Sequence, residues 1–303
     1  MTRPHATQIV NRAGPRPVAL ETTLLAHGVP TPDALPLADR LESIVREHDA
    51  DPATIGLVRG VPTVGMNRPE LEAMLAEPEV PKANTSNLGV YIHRRSWAAT
   101  TVSATMELAA AAGVRLFATG GLGGVHRNYA TDLDISADLA AFTRFPVAVV
   151  CSGVKSLLDV AATREALETL GIPVVGYRTD RFPAFYLRET DSRVDARFDD
   201  PHELASFAAA ELARTSRGIV IANPVPPEAE LDPRELESWI ADASARAADQ
   251  GITSRRVTPF ILARLHEFSK GATLRANIAL IESNTHLAAM LAAAMPTSPG
   301  ASA

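Results

Sequence analysis

The chain has 303 residues, 46% of them hydrophobic and 21% charged, with a formal net charge of -6; that size suits one large globular domain or two small ones, and the acidic balance argues against nucleic acid, which needs basic surface. One cysteine, Cys151, excludes an intrachain disulfide framework and a cysteine-based zinc site. No apolar run reaches membrane-spanning length and residues 1–16 lack the apolar core of a signal peptide, so a cytoplasmic protein with no membrane partner is expected.

Residues 1–16 and 296–303 are small, polar and Pro-rich, and read as flexible tails around a single domain at 17–295. Pro17–Ala26 reads as a strand and Pro32–His48 as a helix, with Leu35, Leu37, Leu41 and Val45 among its apolar positions. Thr54–Val58 is a predicted strand. Thr100–Ala112 is an Ala-rich predicted helix ended by Gly113. Val114–Ala118 and Pro146–Cys151 read as strands, and Lys155–Leu170 as a helix stopped by Gly171. Strands at Pro173–Tyr177 and Gly218–Ala222 flank a helix at His202–Arg214. Helices at Pro233–Ala248, Pro259–Phe268 and Leu274–Met295 complete the chain. This alternation predicts an α/β fold with helices on both faces of the sheet.

Four places point to chemistry. Thr119 is followed by two glycine pairs and by His126 and Arg127; such a strand end lets backbone N–H groups approach an anion, although a tight turn explains the glycines equally. Asp134 and Asp138 are four apart and on a helix would share a face, as hard ligands for Mg²⁺ or Mn²⁺ or simply as an acidic helix start. Lys155 is expected in a first helical turn, where the dipole disfavours the ammonium and favours a nucleophilic amine; a lysine reaching solvent is the alternative. Glu21 lies inside an apolar run, where burial would favour the protonated acid, unless its side of the strand faces water.

Taken together the segments VALETTLLAHG, ATTVSATM, FATGGLGGVHR, DISADL, VVCSGVKSLLD, VVGYRT, IANPVP and TPFILAR, with Asn277 and Asn284, make residues 17–295 resemble the pseudouridine-5'-phosphate glycosidase family, also called indigoidine-synthase-A-like. The resemblance implies a three-layer α/β/α sandwich with a mixed sheet, assembled as a homotrimer. It implies Lys155 as nucleophile, Glu21 as proton donor and Asp138 as an aid to proton transfer at the ring oxygen. Asp134 would be the metal ligand, with Mn²⁺ the usual ion and Mg²⁺ an alternative. Lys82, Val102 and the segment Ser136, Ala137, Asp138 match substrate-binding positions, and Asn284 would face the base. Thr119, His126, Arg127 and Lys82 are candidates to hold the phosphate of a ribose 5-phosphate-containing small molecule.

The implied reaction cleaves a C–C glycosidic bond through a lysine–sugar imine. Its reversibility opens a second reading, a C-glycosynthase joining ribose 5-phosphate to an aromatic ring. A non-catalytic sugar-phosphate-binding protein would be expected to lack Glu21, Asp134 or Lys155, and all three are present. The sequence departs from the family's pattern at Ala34, Arg59, Asp132 and between Ala83 and Trp97. Tyr91 and Trp97 offer flat surfaces to an aromatic partner, or are core.

Overall fold

The computed structural model describes residues 9–127, 129–252 and 257–295. Its strands are β1 (Val10–Asn11), β2 (Pro17–Glu21), β3 (Asp51–Val58), β4 (Val61–Val64), β5 (Lys82–Ala83), β6 (Ala98–Thr100), β7 (Leu116–Ala118), β8 (Val125–His126), β9 (Ala148–Cys151), β10 (Leu158–Asp159), β11 (Val174–Tyr177), β12 (Ala196–Phe198) and β13 (Ile219–Ala222). The helices are α1 (Thr31–Glu47), α2 (Arg68–Leu75), α3 (Leu88–His93), α4 (Val102–Ala111), α5 (Tyr129–Asp132), α6 (Ala137–Phe142), α7 (Val160–Thr169), α8 (Pro201–Thr215), α9 (Pro233–Asp249), α10 (Val257–Phe268) and α11 (Ala272–Ala294).

One sheet of 11 strands runs in the order β1-β4-β3-β2-β7-β9-β13-β11-β12, with β6 joining β3 and carrying β5. The middle is parallel; β4 and β6 lie antiparallel to β3. Alternation along the strands sends side chains to two cores. Val18, Leu20, Leu116, Ala118, Ala148, Val150, Ile219 and Ile221 pack beneath α1, α8 and α11. Ala19, Phe117, Val149, Cys151, Val220 and Ala222 pack beneath α4, α6 and α7. With a period of two and both faces covered, the result is the expected three-layer α/β/α sandwich.

The long helices fall close to their expected positions. Two boundaries do not. The first strand ends at Glu21, and Leu24–Gly28 form a π-helical turn instead of continuing it. The helix expected from Lys155 begins only at Val160, capped by Asp159, whose side chain accepts the Ala162 N–H at 2.9 Å. Leu158–Asp159 are instead a short strand against Val125–His126. Of the segment expected to be loose, residues 9–16 are tied down. Val10 and Asn11 pair with Thr63 and Val64, and Arg12 makes a bidentate ion pair with Glu70. Residues 1–8 and 296–303 lie outside the described residues.

Adjacent strands β3, β2 and β7 define a switch point: the chain leaves β2 toward β3 on one side and returns as β7 on the other. In open α/β sheets the crevice beyond the carboxyl ends of such strands is where ligands bind. Glu21, Thr119 and the turn carrying Lys155 follow β2, β7 and β9 there.

Candidate active site

A cavity of about 540 Å³ opens at these strand ends, and Glu21, Lys82 and Lys155 all line it. The last residue of β2, Glu21, is half-buried because one side meets the cavity, while protein packs around the rest. That burial pushes its pKa up, and the nearby Asp138 carboxylate adds to the rise; Lys155, a hydrogen bond from Thr119 and Lys82 oppose it. The Thr119 hydroxyl donates to Glu21 Oε1. The carboxyl is thus oriented and biased toward its protonated form, which suits a proton donor.

Lys82 enters from β5 and remains open to solvent at the mouth. Desolvation by the surrounding walls and the charge of Lys155 push its pKa down, with Glu21 pulling the other way. His27 lies alongside; burial and Lys82 lower its pKa, against a backbone hydrogen bond to Val80.

Lys155 stands on a turn, not in a helix, so the expected dipole effect has no helix to produce it. The turn is fixed by backbone bonds: Lys155 N–H donates to Leu122 O at 3.1 Å and Leu158 N–H to Lys155 O at 2.9 Å. Gly153, two residues earlier, has φ +76°, and a Cβ there would stand 1.9 Å from Pro183 O. Only glycine fits, and the close approach aims Lys155 into the cavity.

Asp134 and Asp138 do not share a helix face. Asp134 precedes α6, is exposed, and has Oδ2 3.6 Å from His126 Nε2. Asp138 is buried in the first turn of α6, and its two oxygens accept the N–H groups of Ser103 at 3.0 Å and Gly123 at 2.9 Å. It therefore does not face the cavity; it pins the start of α4 to the glycine loop. Ser136 caps α6 against Gly123, and Ala137 is the helix's first residue. Val102 opens α4 and is buried. Arg127 donates to Ser156 O at 3.1 Å and pairs with Glu237, bracing the lysine turn from outside. None of Val102, Thr119, His126, Arg127, Asp134, Ser136, Ala137 or Asp138 lines this cavity.

Asn284 also departs from expectation. It is fully buried and does not face the cavity: its amide donates to Thr119 O at 2.8 Å and Ser152 Oγ at 3.1 Å, and its carbonyl accepts from Asn223 at 2.9 Å. It ties together the residues following β7, β9 and β13. Two turns earlier on α11, Asn277 lines the cavity instead. Its Nδ2 donates to Gly28 O at 3.2 Å, and its buried Oδ1 has no partner among the described residues; the same holds for Thr23 Oγ1, also on the wall. A buried acceptor left open in a cavity is placed to receive a ligand N–H. The sequence shows Asn277 inside a small-residue helix face, with nothing local to separate it from Asn284. The remaining wall is largely apolar, with Leu24, Val29, Leu157, Phe185, Tyr186 and Leu274, and carries the polar Ser156, His266 and Thr273. Tyr91 and Trp97 are not part of it; Tyr91 packs beside the second core.

The family model for indigoidine synthase A-like proteins matches residues 8–294. The chain belongs to this family. It is 47% identical over 283 residues to a pseudouridine-5'-phosphate glycosidase of Symbiobacterium thermophilum, covering 92% of each chain. It is 45% identical over 294 residues to the same-named protein of Salinispora tropica, covering 96% of this chain and 91% of the relative. Among solved structures, an indigoidine synthase A-like protein from Thermotoga maritima shares the fold at TM-score 0.87 and 36% identity, covering 96% of this chain and 98% of that one. The prealnumycin C-glycosynthase AlnA, solved with ribulose 5-phosphate, is similar at TM-score 0.85 and 35% identity, covering 92% and 91%. The relatives named here thus include a glycosidase and a C-glycosynthase.

Among the described residues no three His, Cys, Asp or Glu side chains form a metal cage. The donors at Asp134 are one open carboxylate and the neighbouring His126 imidazole. Two such donors would leave most of the coordination of a Mn²⁺ or Mg²⁺ ion to water.

Proposed function

We propose that the chain cleaves the C–C bond between ribose 5-phosphate and uracil in pseudouridine 5'-phosphate, through an imine on Lys155. The observation that carries this is the convergence of Lys155, Lys82 and a desolvated Glu21 on one cavity. A C-glycoside has no heteroatom leaving group, so the departing carbon must be given a proton and the sugar an electron sink. Ring opening breaks C1'–O4' and places a proton on O4'. The Lys155 amine bonds to C1'. The C1'–C5 bond then breaks, its electron pair passing to the ring carbon, which takes the proton of Glu21. The Lys155–C1' imine left behind is hydrolysed by water, releasing ribose 5-phosphate and the free lysine. Lys82 supplies positive charge for the phosphate, and Asn277 Oδ1 accepts an N–H of the uracil ring. Asp134, with His126 beside it, is the residue that would hold Mn²⁺ or Mg²⁺, and a bound ion would supply positive charge beside the cavity. The protein is further proposed to be a cytoplasmic homotrimer. Exposed apolar side chains support an interface: Tyr129 at 40%, Leu133 at 71% and Ile135 at 43% accessibility.

The test is release of uracil from pseudouridine 5'-phosphate with Mn²⁺, followed by chromatography. Release that is lost in Lys155→Ala is expected; turnover by Lys155→Ala overturns the imine route. The second reading, C-glycoside synthesis, is favoured by the likeness to AlnA and by the apolar wall of the cavity. It predicts no uracil release, but borohydride trapping of ribose 5-phosphate on Lys155.

A further inference from the structure

A second concavity, of about 560 Å³, lies outside the catalytic cavity and is lined by Arg59, Glu77, Glu79, Pro81, Arg95, Ser96 and Trp97. Arg59 and Gly60 form the two-residue turn between β3 and β4, with Val58 paired to Val61. Both turn residues have positive φ, +50° and +80°. Such a turn favours Asn, Asp or Gly at its first position, and an arginine side chain is a costly occupant. Arg95 ends α3 at φ +53°, another position usually given to glycine. The two backbones touch: Gly60 N–H donates to Ser96 O at 2.7 Å, and a Cβ on Gly60 would meet Arg95 Cα at 2.5 Å. Two strained positions in contact therefore each carry an arginine into one pocket. Strain that packing gains nothing from is a pointer to function.

Neither charge is held by a carboxylate among the described residues, though Arg59 lies over the Trp97 ring. Neither guanidinium makes an ion pair among the described residues, although Glu77 and Glu79 stand on the same rim. Arg59 lies 5.9 Å from the ring centroid of Trp97, which is half-buried and holds an indole surface on the pocket wall. Arg59 and the end of the divergent stretch, Arg95 to Trp97, thus meet here and not in the catalytic cavity.

We propose that this pocket is a non-catalytic binding site for a mononucleotide. Each lining group has a counterpart in that ligand: the two guanidiniums for its phosphate, the indole for its base, the two carboxylates for ribose hydroxyls. A lone phosphate would leave the indole and carboxylates idle. The pocket is joined to the active site by the chain itself. Pro81 forms its floor and the next residue, Lys82, lines the catalytic cavity; Trp97 leads directly into β6, where Ala99 pairs with Lys82. The proposal does not depend on which C-glycoside the active site takes.

The chain has two tryptophans, so a Trp239→Phe protein leaves Trp97 as the sole reporter. Adenosine 5'-monophosphate, inorganic phosphate and ribose 5-phosphate are titrated in turn while its fluorescence is read. Saturable quenching by adenosine 5'-monophosphate is expected, weakened about tenfold or more in Arg59→Gly and Arg95→Gly. Glycine suits both backbone positions, so these variants keep the fold, and unchanged circular dichroism checks it. No quenching overturns the proposal, as does quenching that survives both substitutions. Equal binding of phosphate alone overturns the nucleotide assignment, and a Trp97 signal that follows protein concentration and not ligand assigns the pocket to contact between copies of the chain.

Discussion

Glu21 is held where its ionised form is least welcome, and the sign of the consequence is fixed by that. Below its ordinary pKa of 4.5 the carboxyl is protonated in folded and unfolded chains alike and makes no difference. Above 4.5 the unfolded chain releases the proton while the folded chain keeps it to higher pH and then ionises against its own burial, so stability is lost as pH rises through that window. Glu21→Gln is therefore expected to abolish turnover yet raise the melting temperature at pH 7, with the gain shrinking toward zero below pH 4.5 in thermal scans across pH. Such a trade of stability for activity is common at catalytic groups. Asn277→Ala makes the complementary case. Truncation removes the Nδ2 bond to Gly28 O and should cost about 1 kcal/mol of stability, while loss of the open Oδ1 should lower kcat/KM about tenfold to a hundredfold, the scale of one lost buried hydrogen bond. Steady-state kinetics beside thermal melts would separate the two effects.

At the scale of elements, short strands and turns matter more to the site than the long helices do. Alternating apolar residues made the central strands legible, and helical periodicity with proline and glycine punctuation found α1, α8, α9 and α11. Glu21 was legible for a different reason, a carboxylate inside an apolar run, whereas the rule Lys155 was read as breaking, a lysine opening a helix, does not apply because it stands on a turn before α7. What could not be seen was set by distant partners. Lys155 looked like a helix start because β10 exists only through its pairing with β8, some thirty residues away in sequence. Leu24 and Leu25 looked like strand because a π-helical turn and a strand draw on the same apolar residues. Asn277 and Asn284 sit on one face of one helix, and only packing tells which meets the cavity. Two glycine predictions belong here. Gly153→Ala must move Pro183 or twist the turn beneath Lys155, and should cost about 2 kcal/mol or more in denaturant unfolding while disabling the lysine. Arg59→Gly relieves strain in the β3–β4 turn and should stabilise by roughly 0.5–1 kcal/mol in the same assay.

Across the whole molecule, the described helices include none long and apolar enough to cross a membrane, and apolar side chains are instead left on the surface around Asp134. Light scattering is expected to give three times the chain's 32.2 kDa, and a monomer would remove the proposed trimer. Glu21, Thr119, Lys155 and Asn277 come from four stretches spread over most of the chain. No contiguous fragment carries the chemistry. Asn284, midway along α11, is the pin that holds the residues after β7, β9 and β13 in one cluster. During synthesis on the ribosome, Glu21 and Lys155 emerge long before that pin. A nascent chain would then hold its lysine without the walls that give it selectivity, and the sugar-phosphate pocket would close only when the last helix docks. The carboxyl of Glu21 and the turn that aims Lys155 are thus made early, and what the last helix adds is the wall that Thr273, Leu274 and Asn277 supply.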